Sequence, residues 1–226
     1  MTGATDGCRR IVLLGAPGAG KGTQAEVVAG RTGLPHLSTG DLLRAAVKAG
    51  TATGREARSH MDAGRLVPDR VVFGVLFERL RAGSEGFLLD GFPRNLAQAE
   101  ELDRRLAELG TPLDRVVEIG VPDERLSARL TGRRVCGACG RNHHLEFLPP
   151  RQPGVCDACG GRLVHRPDDR IEVVGERLAV YHRQTAPLRD YYGSRGLLET
   201  VDGDRDIGQV TQELLEALAA PATRRS

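Results

Sequence analysis

The chain contains no apolar run approaching the roughly 18 residues that a membrane-spanning helix needs. Its longest early run, Ile11-Val12-Leu13-Leu14, is too short for a signal-peptide core and leads straight into Gly15. The first eight residues read as a disordered leader without targeting logic. A cytoplasmic protein with no membrane partner is the expectation. A strong charge of one sign is also missing. The 32 Lys and Arg nearly balance the 30 Asp and Glu, for a net +2. General nucleic-acid binders tend to be strongly basic, so no nucleic-acid partner is expected, although a local basic pocket fits the same balance. Internal repeats and long low-complexity tracts are absent too, which excludes repeat architectures.

What is present is ordinary for a globular protein: 226 residues, 40% hydrophobic and 27% charged. This length suits one α/β domain with a small insertion, or two small domains. Short apolar runs predict strands at Ile11–Leu14, Pro35–Leu37, Phe87–Leu89, Arg115–Ile119 and Leu198–Val201. Helical spacing separates them and is clearest at Ile207, Val210, Leu214 and Leu218. Such alternation predicts a parallel sheet covered on both faces. Residues 132–169 break the pattern with paired cysteines, prolines and little helical periodicity, and read as an inserted domain. A second excursion, 38–67, is helical and polar, with breaks expected at Gly40, Gly50, Gly54 and Gly64. The tail, 221–226, is expected to fray.

The first strand runs into Gly15-Ala16-Pro17-Gly18-Ala19-Gly20-Lys21-Gly22-Thr23, where a helix is expected to start. Glycines there aim backbone N–H groups at phosphate oxygens, and Lys21 adds a full charge near the β- and γ-phosphates of a nucleoside triphosphate. The hydroxyl that usually follows the lysine comes one place later, at Thr23. Whether it meets Mg²⁺ directly, through water or not at all stays open. Ser38-Thr39-Gly40-Asp41 suits a helix N-cap at a strand end. Asp90 closes an apolar strand beside the phosphate loop; it can hold Mg²⁺ or its waters, or cap a turn.

Cys136-Gly137-Ala138-Cys139 and Cys156-Asp157-Ala158-Cys159 fit C-x2-C-x15–20-C-x2-C, a zinc pattern. Four thiolates leave no open coordination position, so such a zinc is structural. The alternatives are two disulfides or four idle thiols. Cys8 reads as a small buried residue beside the first strand.

The phosphate loop resembles that of the adenylate kinase family. So do Leu37-Ser38-Thr39-Gly40-Asp41-Leu42-Leu43-Arg44, Gly86-Phe87-Leu88-Leu89-Asp90-Gly91-Phe92-Pro93-Arg94, Gly132-Arg133-Arg134-Val135, Arg166-Pro167-Asp168-Asp169 and Arg177-Leu178. The resemblance runs from about residue 9 to 218 and includes a branch with a four-cysteine lid. It implies an α/β P-loop kinase: a five-stranded parallel sheet flanked by helices, a helical NMP-binding excursion (38–67) and a zinc-binding lid (132–169). The core would be 9–37, 68–131 and 170–220. It implies a monomer catalysing ATP + AMP = 2 ADP with Mg²⁺.

By the same resemblance Gly18, Ala19, Gly20, Lys21, Gly22 and Thr23 hold ATP. Arg129, Arg133, Asn142, His143 and the backbone at Arg205 also lie on the ATP side. Thr39, Arg44, the backbone of Arg65, Leu66 and Val67, then Gly91, Phe92, Pro93 and Arg94 surround AMP, with Gln98 on the adenine edge. Arg166 and Arg177 bridge the reacting phosphates. Lys21, Arg94, Arg133, Arg166 and Arg177 are the expected catalytic groups. Asn142-His143 departs from the family, whose members carry an aromatic residue there. Asp168 and Asp169 adjoin Arg166 and are candidates for ion pairs that form on lid closure. AMP's phosphate is already an anionic nucleophile, so the absence of a Ser-His-Asp or Cys-His set is no objection; positioning and cationic stabilisation would carry the reaction. The rival readings are a GTP-using or pyrimidine-accepting relative, and a P-loop switch or nucleic-acid protein with a zinc ribbon.

Overall fold

A computed structural model describes residues 8–81 and 86–220. The expected leader, apart from Cys8, and the expected frayed tail lie outside the described residues. Strands β1 (Arg10–Leu14), β2 (His36–Ser38), β3 (Phe87–Asp90) and β4 (Arg115–Gly120) join a late strand, β8 (Leu198–Asp202), in the five-stranded sheet. The order is β2-β3-β1-β4-β8 and every pairing is parallel. Each predicted strand is therefore present, within one or two residues of its expected ends.

Burial on both faces explains why these strands are nearly continuous apolar runs. Along β1 the side chains alternate. Val12 and Leu14 join Leu89, Val116 and Phe92 in one core layer, while Ile11 and Leu13 join Leu88, Val117 and Ile119 in the other. Helices cover both layers. From the first layer α4 (Asp69–Arg81) contributes Leu76 and α5 (Leu96–Glu108) contributes Leu102; from the second, α1 (Lys21–Thr32) contributes Val28 and the last helix, α9 (Ile207–Ala219), Leu214. Cys8 is buried in the second layer, as expected.

The polar excursion forms α2 (Thr39–Lys48) and α3 (Ala52–Asp62). Only two of its four glycines break helices: Gly50 and Gly64, both at positive φ. Gly40 lies inside α2. Gly54 lies inside α3, where a Cβ would stand 2.1 Å from the Ala46 carbonyl oxygen. That glycine serves close helix approach rather than a turn.

The cysteine-bearing insert follows α6 (Asp123–Thr131) and is a small antiparallel sheet. Its strands β5 (Arg133–Cys136), β6 (Asn142–His144) and β7 (Leu163–Val164) run in the order β6-β5-β7. Lys48, at the end of α2, donates to the Gly137 carbonyl at 3.1 Å and so touches the insert. After it come α7 (Ile171–Val180), a π-turn at Tyr181–Thr185, and α8 (Leu188–Gly193). No helix among the described residues is long and apolar enough to cross a membrane.

Candidate active site

Parallel strands end on one edge of the sheet, and ligands of such folds bind there. Here the edge carries a cavity of about 550 Å³. The loop from β1 to α1 forms its floor. Gly15, Gly18 and Gly20 take positive φ, which lets the backbone fold back on itself before α1 begins at Lys21. At Gly15 a Cβ would come within 2.6 Å of the Ile119 carbonyl oxygen, so glycine is also required sterically. Lys21 Nζ donates to the carbonyls of Gly15 and Ala16 at 2.8 and 3.0 Å, holding the loop closed around its own cation. Asp90, at the end of β3, is buried; its Oδ2 lies 3.6 Å from His36 Nε2 on β2. Burial alone would raise the Asp90 pKa, but His36 and Lys21 outweigh it and hold the carboxyl below its ordinary value. Thr23 lines the same cavity.

The cavity gathers cations. Lys21, Arg44, Arg94, Arg133, Arg166 and Arg177 all line it. Burial pushes the pKa of Lys21 down to about 8, and Arg94, Arg133 and Arg177 push the same way while Asp90 opposes them. Burial likewise lowers Arg94 to about 10 and Arg166 to about 9, with neighbouring arginines adding to both effects. Like charges this close repel at low dielectric, and a polyanion among them relieves that repulsion.

Each arginine is aimed by a specific partner. Arg94 Nε donates to the Gly91 carbonyl at 2.7 Å, and Thr39 Oγ1 donates to the same oxygen at 2.8 Å. Arg44 donates to Asp41 Oδ1 and Arg166 to Asn142 Oδ1. Arg133, on β5, and Arg177, on α7, both grip the fully buried carboxylate of Asp169. Asp168 also pairs with Arg177, at 3.1 Å. In this structure Asp169 thus pairs with Arg133 and Arg177, and Asp168 with Arg177.

Around the remaining expected residues the structure sorts side chains from backbone. Val67 and Phe92 are buried in the core layer, so only their backbones can face a ligand. Arg65 is exposed. Leu66, Gly91 and Pro93 line a smaller adjoining cavity of about 90 Å³ with Arg94 and Arg177. Gln98 is buried, with Oε1 accepting from the Arg94 N–H at 2.7 Å and Nε2 donating to Asp69 Oδ1 at 2.6 Å. Arg129 donates to the Gly203 carbonyl at 2.9 Å and to Asp204 at 3.1 Å. Arg205 lines the cavity, but its side chain pairs with Asp202 and Glu213.

The sequence reading missed Phe147. Asn142 and His143 do line the cavity, but His143 is only 4% exposed. The aromatic ring open at this end belongs to Phe147, 49% exposed and 5.8 Å from the Arg129 guanidinium. His144 Nδ1 accepts the backbone N–H groups of Glu146 and Phe147, each at 3.0 Å, and its ring packs 4.6 Å from that of Phe147. An aromatic ring thus lines this end of the cavity four residues after His143, on a turn that His144 organises. A phenylalanine two residues before Pro149-Pro150 was the available signal.

The four paired cysteines converge. Their sulfurs lie within 4.8 Å of one another, with Cys136–Cys159 at 3.4 Å and Cys139–Cys156 at 3.7 Å. None is in a disulfide. A tetrahedron with metal–sulfur bonds of about 2.3 Å has edges of about 3.8 Å, so the sulfurs fit one metal ion. The two halves repeat the same hydrogen bonds: Gly140 N–H to Cys136 O and Gly160 N–H to Cys156 O, then Cys136 N–H to Arg141 O and Cys156 N–H to Gly161 O. Backbone N–H groups of Cys139 and Ala138 lower the Cys136 thiol pKa and favour its thiolate, whereas at Cys139 the Arg141 N–H acts the same way but the neighbouring sulfurs and burial outweigh it and raise the pKa.

A family model described as adenylate kinase matches residues 13–197. The chain is 53% identical to the adenylate kinase of Desulfitobacterium hafniense, over 92% of this chain and 97% of that protein. It is 52% identical to that of Carboxydothermus hydrogenoformans, over 92% and 99%. It is 51% identical to that of Caldicellulosiruptor saccharolyticus, over 92% and 98%.

Proposed function

The chain belongs to the adenylate kinase family, and on that premise we propose how its residues divide the transfer of a phosphoryl group from ATP to AMP. The enzyme is a phosphotransferase that makes two ADP from one ATP and one AMP. One observation carries the division of labour: a single cavity joins the phosphate loop to a second anion-binding set, with arginines between them.

On the donor side the loop Gly18–Thr23 cradles the ATP phosphates through its N–H groups and Lys21. Arg129, Asn142, His143 and the backbone near Arg205 surround the donor nucleoside, with Phe147 as a face for its base. On the acceptor side Arg44 and Arg94 hold the AMP phosphate. Thr39, the backbone at 65–67 and 91–93, and Gln98 enclose the nucleoside. Arg133, Arg166 and Arg177 stand where the two phosphate chains meet.

An oxygen of the AMP phosphate attacks the γ-phosphorus of ATP, and the bond from that phosphorus to the β-bridging oxygen breaks, releasing ADP. No side-chain base is needed, because the attacking oxygen is already anionic. Planar guanidinium groups stabilise charge as it moves onto the departing ADP, and each preorganised donor of this kind is worth about 10²–10³ in rate. Mg²⁺ bound with ATP would neutralise phosphate charge, and Asp90 would hold it through water.

The four cysteines are read as a structural zinc site, since a closed all-sulfur tetrahedron suits that ion. Residues 38–67 are read as the acceptor arm and 132–169 as the lid. The family resemblance supports a cytoplasmic monomer.

The test is to mix the protein with ATP, AMP and Mg²⁺ and measure ADP, replacing ATP by GTP and AMP by CMP or UMP in parallel. ADP from ATP and AMP above all other pairs is expected. Hydrolysis of ATP without dependence on a monophosphate would sink the assignment.

A further inference from the structure

Gln98 sits in the first turn of α5 with both ends of its carboxamide engaged. Its Oε1 accepts the Arg94 backbone N–H at 2.7 Å, and its Nε2 donates to Asp69 Oδ1 at 2.6 Å. A primary amide offers two N–H hydrogens and two oxygen lone pairs. One of each is used here, which leaves one N–H and one lone pair. Adenine presents the complement: N1 accepts and the 6-amino group donates. A 6-oxo purine presents the reverse, since its N1–H donates and its O6 accepts. Reading that base would require the amide to turn over.

The surroundings oppose the turn. A backbone N–H can only donate, and a carboxylate can only accept. The turned amide would set N–H against the Arg94 N–H and oxygen against the Asp69 oxygen. The orientation therefore follows from chemistry and not from an arbitrary choice between O and N. Asp69 is itself anchored, because Asn95 Nδ2 donates to its Oδ1 at 3.2 Å. Asn95 cannot turn either, for its Oδ1 caps α5 by accepting the Gln98 N–H at 2.8 Å.

We propose that Asp69 is a positioning residue for base selection: by locking the Gln98 amide it makes the acceptor site take a 6-amino purine monophosphate and refuse a 6-oxo one. The inference rests on the reading that Gln98 meets the acceptor base. A site built around fixed polar groups rejects the mismatched base because those groups are left unpaired.

The experiment compares AMP with IMP, as substrates or as competitors, in the wild type and in Asp69→Ala, Asp69→Asn and Gln98→Ala. Asp69→Ala should lower the AMP-over-IMP preference about tenfold, the worth of one hydrogen bond to a charged group. Asp69→Asn keeps an acceptor oxygen without its charge and should fall between wild type and Asp69→Ala, about threefold below wild type, since a neutral bond is worth roughly half a charged one. Both nucleotides are measured on one preparation, so loss of folded protein leaves the ratio unmoved. Asp69→Ser, too short to reach Gln98, replaces the alanine variant should that fail to accumulate. A ratio unchanged in Asp69→Ala but collapsed in Gln98→Ala overturns the role of Asp69 alone. Equal losses for both nucleotides in Asp69→Ala reduce it to a structural residue and also overturn the proposal. If Gln98→Ala leaves the ratio unchanged, the acceptor-pocket reading fails first.

Discussion

The parallel sheet and the cysteine-bearing insert are ordered by different means. The sheet buries Ile11, Leu13, Leu88, Leu89, Val116 and Val117 almost completely. The insert's buried cluster is Cys136, Cys156 and Leu163, while Leu145, Phe147, Leu148 and Val164 stay exposed. Fully burying a leucine contributes about 1.5–3 kcal/mol. Fixing one residue's backbone costs about 1–2 kcal/mol. A cluster that small contributes little against the ordering of the whole insert, and a metal ion held by the four sulfurs would add the missing stability. The contrast is between burial, where the scaffold is large enough for a core, and four converging sulfurs that a metal ion would cross-link, where it is not.

Removing the metal gives the largest expected break between the two regions. Zinc-binding peptides of this kind gain about 10–16 kcal/mol apparent binding energy at neutral pH. Cys136→Ser with Cys156→Ser should abolish stoichiometric zinc by native mass spectrometry. Hydrogen exchange should then rise across β5, β6 and β7 and stay slow in β1 and β4. Retained protection in the metal-free insert would erase the distinction.

The converse substitution is Leu88→Ala, which leaves a cavity in the core layer against Ile11 and Leu13. It should cost about 2–5 kcal/mol of global stability in urea unfolding. Zinc content should not change. Loss of zinc together with core stability would mean that the two regions fold as one unit.

The smallest expected effect lies at the joint, where Asp169 holds Arg133 from the insert and Arg177 from α7. Burial alone would raise the Asp169 pKa; Arg133 first, then Arg177 and Arg166, outweigh it and hold it below its ordinary 3.8. A depressed folded pKa stabilises above the unfolded value and loses that contribution as pH falls through the folded one. Thermal unfolding should therefore show a loss below about pH 4 that Asp169→Asn lacks, since an unperturbed carboxyl titrates there. Metal release in acid is common to both proteins and cancels in the comparison. Parallel acid profiles would remove Asp169 from the joint.

The sheet was legible because apolar runs as short as Ile11–Leu14, bounded by turn residues, suit a strand buried on both faces. The phosphate loop was legible because its glycine spacing is dictated by backbone angles, and the cysteine pairs because two C-x2-C turns at this separation can bring four sulfurs together. Gly40 and Gly54 were misread as breaks. A glycine needed for close approach carries the same letter as one needed for a turn, and only the Ala46 carbonyl distinguishes them at Gly54. Phe147 was missed because its role depends on a turn made by His144, which no periodicity reports. Asp69 was invisible for a similar reason. Its partner Gln98 lies 29 positions away, and a carboxylate at the start of a helix has an ordinary explanation in the helix dipole.

Lys48 reaches from the end of α2 to the carbonyl of Gly137, one residue past Cys136. Any free energy crossing that contact is shared equally by its two ends, as thermodynamic linkage requires. A ligand that fixes α2 and an ion held by the four sulfurs would then change each other's affinity by the same factor. On the zinc reading, such an ion would be a silent participant in substrate affinity: never transformed, yet part of the binding equilibrium on both sides of that contact.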